Sequence, residues 1–297
     1  MATSAVFQHT LGASVVFEGV GLHSGQTMAC ALRPAPVGAG VTFIRTDLAG
    51  DNRIPARAEA VIRTQLGTVI GNAAGAEVST IEHLMSAFAA LGVDNAVVEL
   101  DGPELPIMDG SAEPFVRLID QAGVEPQNAP RHYIEIVEPI EVIEGDKRAA
   151  LVPADRFEMA FEIDFASAAI GGQRIDIVLD EIAFRDGLAA SRTFGFLHEV
   201  EALRKAGLAR GGSMDNCLVI DGDQLMNPEG LRSTDEFVRH KALDALGDLY
   251  LLGAPLIGRF EGVLAGHTLN NALARALLAR PEAWRTRLYT EELAEAV

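Results

Sequence analysis

Residues 236–253 read EFVRHKALDALGDLYLLG, and Phe237, Val238, Leu243, Leu246, Leu249, Tyr250 and Leu251 cover much of the circumference of a helix. A helix so widely apolar belongs in a core. Its pattern is nevertheless broken by His240, Asp244 and Asp248, which recur every four residues and therefore stack on one face. Two readings of this stripe stay open: a solvated His–Asp contact on a helix surface, or ligands aimed at a single atom. A polar stripe on so apolar a helix favours the wall of a cleft.

Working outward, residues 12–48 carry short alternating or β-branched runs separated by Gly and Pro, the grammar of strands and tight turns. STIEHLMSAFAALG, residues 79–92, switches to helical spacing and stops at Gly92. NAVVEL reads as a buried strand, FVRLIDQAG as a second helix, and VEPQNAPRH, residues 124–132, as a linker. The second half repeats the order: strands up to residue 165, a more helical middle at 181–207, the strand CLVID, then two helices. Strands followed by helices, twice, predict an α+β fold in two domains, 1–127 and 128–297, each a β-sheet with two helices.

With 48% hydrophobic residues and no low-complexity tract, the chain can build sizeable cores. Its longest apolar stretches fall well short of the roughly 18 to 20 residues that a membrane span requires. The first 20 residues, with no basic region ahead of an apolar core, do not resemble a signal peptide. A cytoplasmic protein without a membrane span is the expectation, and a monomer is taken as its state. The 42 acidic residues against 24 basic ones give a formal charge of −18, which would repel nucleic acid, so an anionic ligand would need local cations. Cys30 and Cys217 form no CxxC pair, which leaves His, Asp and Glu to hold any metal.

Three stretches hold candidate chemistry. In STIEHL, Ser79-x-x-Glu82 is a capping-box pattern in which Glu82 would merely return a hydrogen bond to the Ser79 backbone, and His83 can be a satisfied core histidine. In GHTLNNALARALL, His267 can be an ordinary helix-start residue. Asp248 can be a solvated helix-end acid, or it can hold an imidazole in one tautomer. Together, however, these stretches contain three of only seven histidines, each beside an acid or a glycine at a helix start or on a helix face. Two His and one Asp leave a zinc ion with a fourth position open for water, the pattern of a catalytic site. A neighbouring carboxylate and a second acid could then move protons, and Glu82 and His267 fit those two tasks. SRTFGF, with Thr193 in a polar break, carries little by itself.

The motifs STIEHL, PIMDGSAEPFV, SRTFGF, DEFVRHKALDALGDL and GHTLNNAL, with GVGLHSG and LRPAP near the start, resemble in order and spacing those of bacterial UDP-3-O-acyl-N-acetylglucosamine deacetylases. The resemblance covers nearly the whole chain. It implies a zinc-dependent amidase that takes acetate from a UDP-glucosamine bearing a 3-hydroxyacyl chain, the committed step of lipid A biosynthesis. It also implies helices packed between two sheets, with one insert near residues 54–78 and another near 181–220.

Residue by residue, the resemblance implies zinc ligands at His83, His240 and Asp244, a general base at Glu82, and an acid at His267 partnered by Asp248. Thr193 would bind the oxyanion, Lys241 the sugar and diphosphate, and Phe194 would wall the glucosamine. Lys147, Asp164 and Phe165 resemble positions near the UDP, with Phe165 stacking on uracil. Leu197, Val200, Ala209, Gly212, Cys217 and Val219 match a passage for the acyl chain. Two positions depart from the family pattern: Leu264, where relatives often carry a basic residue, and Gly67, where some carry a cysteine. Two rivals remain at this stage: a zinc amidase acting on another N-acylated sugar or peptide, and a non-catalytic sugar-nucleotide or acyl-chain binding protein.

Overall fold

The computed structural model describes residues 6–288, so the outermost residues of the two expected domains, 1–5 and 289–297, lie outside the described residues. The fold is α+β. Alternating apolar residues in the first third build a five-stranded sheet in the order Val15–Val20, Thr27–Pro34, Ala96–Leu100, Val41–Arg45, Arg53–Pro55. Its inward positions, among them Leu32, Phe43, Ile54 and Val98, are fully buried. A seven-stranded sheet is built from residues 132–288, centred on Leu256–Val263, which pairs with His132–Ile136, Lys147–Val152 and Phe157–Asp164.

Helix α1 (Glu82–Leu91) follows the short strand Glu77–Val78, and α2 (Glu113–Ala122) follows Ala96–Leu100 of the five-stranded sheet. Helices α3 (Leu197–Lys205), α4 (Glu236–Tyr250) and α5 (His267–Leu278) come from the second half. Helix α1 packs along α4, and α4 along α5. The α1–α4 crossing is at Gly247, where a Cβ would collide with the backbone carbonyl of Glu82, so only glycine lets the two helices approach this closely. Helix α4 therefore lies buried in the middle of the molecule, as its apolar circumference requires.

Two small sheets stand apart from the large ones. Val61–Arg63, Val69–Gly71 and Glu77–Val78 form one, within the stretch expected as the first insert. Phe194–Phe196, Leu218–Asp221 and Gln224–Leu225 form the other, with α3 beside it.

The stretch read as a linker is instead the strand Val124–Pro130, paired antiparallel with Phe7–Leu11. Among the described residues this sheet has two strands, so Pro126 and Pro130 need no second partner for the N–H groups they lack. Proline content signalled a break where there is an edge strand.

Candidate metal and proton-transfer site

Helix α4 presents its polar stripe as the i, i+4 spacing dictates. His240 Nε2 lies 3.3 Å from Asp244 Oδ1. His240 Nδ1 is 3.0 Å from the Ser191 carbonyl oxygen, an acceptor only, so Nδ1 carries the proton and Nε2 offers its lone pair to the cluster. Burial holds the His240 imidazole neutral, with its pKa lowered to about 3. Lys241, one residue on, would point about 100° away on an ideal helix. Its side chain instead curls back, and Nζ donates to Asp244 Oδ2 at 2.7 Å. Burial works against the Asp244 carboxylate, but His240 and Lys241 outweigh it and keep the group ionised well below the usual range.

Helix α1 brings the third ligand candidate. His83 Nε2 is 3.6 Å from Asp244 Oδ1, and its ring meets that of His240 edge to face at 5.1 Å. His83, His240 and Asp244 thus each offer an atom within 4.8 Å of the others, all three buried. Asp244 Oδ1 is buried with no hydrogen-bond donor. A buried carboxylate oxygen without a donor is costly unless a cation meets it, and two imidazoles with one carboxylate suit a divalent metal such as zinc.

Glu82 does not serve as a cap. Thr80 adopts φ +60°, which breaks the box geometry, and the Ser79 hydroxyl donates to Pro103 O. The Glu82 carboxylate turns inward, 3% exposed, and Oε2 accepts from the Thr68 N–H at 3.1 Å. Burial raises its pKa, so the group is disposed to take up a proton. His267, at the start of α5, places Nε2 3.8 Å from both Glu82 Oε1 and Asp244 Oδ2. Its Nδ1 donates to Asp248 Oδ2 at 2.9 Å. Burial alone would lower the His267 pKa, but Asp248 overrides it and raises the value to about 9. At neutral pH the His267 imidazolium thus faces the buried Glu82 carboxyl group beside the ligand cluster.

These groups open on a cavity of about 240 Å³, which Thr193, Phe194, Phe165 and Lys241 also line. A larger cavity of about 320 Å³, at the far end of α1 and α4, is mostly apolar and lacks this collection of acid–base groups. Phe165 packs edge-on to Phe194 at 5.6 Å, and Phe194 to Phe237 at 5.1 Å, so an aromatic wall continues from the site into the core. Lys147 and Asp164 are not part of the lining: Lys147 is exposed opposite Glu144 in its strand pair, and Asp164 opposite Gly172.

The six residues expected to form an acyl passage surround the small second sheet and do not line the 240 Å³ cavity. Leu197 and Val200 are on α3, Cys217 and Val219 at the central strand. Ala209 and Gly212 are in a loop that folds onto the GLHSG turn, where Arg210 N donates to His23 O and Gly211 N to Leu22 O. Gly212 approaches the Leu22 side chain, and Leu22 does line the cavity. Burial pushes the Cys217 thiol up to about 12, which leaves it no thiolate at neutral pH.

Several supporting residues carry no signal in their spacing. Arg192, buried, donates through its backbone N–H and Nε to Glu236 Oε1, fastening the loop that holds Ser191 and Thr193 to the start of α4. Thr193 N donates to Gly110 O, which gives PIMDGSAEPFV a scaffolding task. Glu104 accepts from the backbone of His23 and Ser24 and holds the GLHSG turn beside the cavity. Asn270 and Thr68 both donate to Asp248. Thr68 follows Gly67 and Asn270 lies one helical turn after His267, but a threonine and an asparagine carry no metal-ligand or acid–base signature of their own.

A family model described as UDP-3-O-acyl N-acetylglycosamine deacetylase matches residues 8–279. The chain belongs to this family. Among its curated relatives, the UDP-3-O-acyl-N-acetylglucosamine deacetylase of Phenylobacterium zucineum is 68% identical over 293 residues, covering 98% of this chain and all of the relative. The deacetylase of the same name from Acidithiobacillus ferrooxidans is 50% identical, covering 97% of this chain and 95% of the relative. That of Myxococcus xanthus is 48% identical, covering 96% and 90%. Family membership thus extends over both large sheets and all five labelled helices of the deacetylase fold.

Proposed function

We propose that the chain hydrolyses the N-acetyl amide of UDP-3-O-(3-hydroxyacyl)-N-acetylglucosamine, giving acetate and the free 2-amine, as the committed step of lipid A biosynthesis in a Gram-negative bacterium. The observation that carries this reading is the facing pair Glu82 and His267, both within reach of the His83, His240 and Asp244 cluster. A binding protein has no use for a buried base opposite a buried acid.

His83, His240 and Asp244 would hold one zinc ion per chain. Bound there, such an ion would supply Lewis acidity to the amide carbonyl and to water. Glu82 takes the proton as the water oxygen adds to the carbonyl carbon. The Thr193 hydroxyl and the His267 imidazolium steady the negative oxygen that results. His267 then passes its Nε2 proton to the departing nitrogen as the C–N bond breaks, and Asp248 keeps the ring aligned throughout. Lys241, partly neutralised by Asp244, is a second local cation and meets the sugar and diphosphate, with Phe194 walling the glucosamine and Phe165 stacking on uracil.

The finer assignments belong to the same proposal: Lys147 and Asp164 contact the UDP from the surface, and Leu197, Val200, Ala209, Gly212, Cys217 and Val219 guide the acyl chain. The proposal also covers two domains, 1–127 and 128–297, in a monomeric cytoplasmic protein. A nucleotide-sugar substrate supports the compartment. Among the described residues no helix is long and apolar enough to cross a membrane.

The test is acetate release by the purified, zinc-loaded chain from the UDP-acyl-sugar, compared with N-acetylglucosamine and an acetylated peptide. Turnover of the UDP-acyl-sugar alone is expected. Glu82→Ala is expected to lower kcat by about 10²- to 10⁴-fold while metal content is kept; full activity in that variant would remove Glu82 as the base.

A further inference from the structure

We infer that Thr68 is a positioning residue that sets the base and the acid of this site at once, an inference that rests on the proposed deacetylation. Thr68 is 1% exposed and sits just before the strand Val69–Gly71 of the first small sheet. Its backbone N–H donates to Glu82 Oε2 at 3.1 Å, and its hydroxyl donates to Asp248 Oδ1 at 2.5 Å. Among the described residues, no other hydrogen-bonds to both Glu82 and Asp248.

The consequences for each arm follow from the bonds that remain. With Oε2 engaged by Thr68, Glu82 directs Oε1 toward His267 Nε2. Asp248 receives Thr68 on Oδ1 and both His267 Nδ1 and Asn270 Nδ2 on Oδ2, so its carboxylate cannot rotate without losing several donors. The His267 ring inherits that orientation.

The loop that delivers Thr68 is shaped for the purpose. Leu66 and Gly67 adopt φ of +61° and +154°, and a Cβ at Gly67 would stand 3.0 Å from Glu82 Oε1. Thr64 Oγ1 bonds to Thr268 Oγ1 at 2.9 Å, and the Leu66 carbonyl is 3.2 Å from His23 Nε2. The loop is thus tied to the start of α5 on one side and to the GLHSG turn on the other.

The experiment compares Thr68→Val, which keeps the shape and loses the hydroxyl, with Thr68→Ser, which keeps the hydroxyl. Each is made in the zinc-loaded full chain and in a His267→Ala background. Thr68→Val is expected to lower kcat about 10- to 100-fold, the scale of a lost hydrogen bond to a charged group, with KM and zinc content near those of the unaltered protein. Thr68→Ser should recover most of the loss. In the His267→Ala background, Thr68→Val should add little, because the hydroxyl acts through Asp248 and His267. Unchanged kcat in Thr68→Val, no recovery in Thr68→Ser, loss of zinc or fold in both, or fully additive losses in the double variant would each overturn the inference while leaving the deacetylation intact. Absence of acetate release by the unaltered protein overturns both.

Discussion

Gly247 of α4 rests against the Glu82 backbone at the start of α1, with no room for even one methyl group between them. The contact fixes how far Glu82 and His83 stand from Asp244 and Asp248. Gly247→Ala should therefore destabilise the protein by about 1–3 kcal/mol through overpacking and should also lower turnover, since relief requires α1 to move. Urea unfolding and acetate release check the two effects; a stable variant with full activity would show that the helices can separate without disturbing the site.

The metal-free protein should be most stable near pH 6.5. His267 has a folded pKa of about 9 against an ordinary value of 6.5, so its ion pair with Asp248 stabilises fully below 6.5 and is lost as pH rises through 9, on the order of 3 kcal/mol. His240 has the opposite sign: with a folded pKa of about 3 it is buried neutral, and the unfolded chain gains protons first as pH falls below 6.5. Thermal unfolding between pH 4 and 10 measures both limbs. His267→Gln should flatten the alkaline limb and leave the acidic one; an unchanged alkaline limb would contradict the His267–Asp248 account.

Arg192 and Glu236 form a buried ion pair at 2.8 Å, with side-chain exposures of 3% and 0%. Arg192→Met should cost about 3–5 kcal/mol, because it strands the Glu236 carboxylate. Adding Glu236→Leu should return part of that loss. Both variants should show reduced turnover, since the loop carrying Ser191 and Thr193 is no longer fastened to α4. Denaturant midpoints of the single and double variants decide this, and a double variant less stable than Arg192→Met would refute it.

Chelation of the metal should abolish acetate release, and stoichiometric zinc should restore it. His83→Gln and His240→Gln are each expected to lower zinc content in the purified protein, measured by elemental analysis. Retention of full zinc in both would place the ion elsewhere.

Much of this site was legible because scarce residue types recur at helical spacing. His240 and Asp244 are one turn apart on a helix whose other positions are mostly apolar, and that contrast survives in any tertiary context. Glu82 was harder: its sequence surroundings describe a cap, and only the left-handed Thr80 backbone frees it for the cavity. The partner of His240 Nδ1 is the carbonyl of Ser191, a group every residue owns, so no side-chain pattern marks it. The strand Val124–Pro130 escaped notice because prolines tolerated at an edge look like a break when the pairing partner, Phe7–Leu11, is more than a hundred residues away.

Glu82 and His83 come from the first half of the chain, whereas His240, Asp244, Asp248 and His267 come from the second. Neither half alone brings Glu82 opposite His267, or the His83, His240 and Asp244 side chains together. The chemistry is thus a joint property of two separately built sheets, and a bound ion would act as a rivet across their shared helical layer. Any change that lets α1 slide on α4 would extinguish activity well before either sheet came apart.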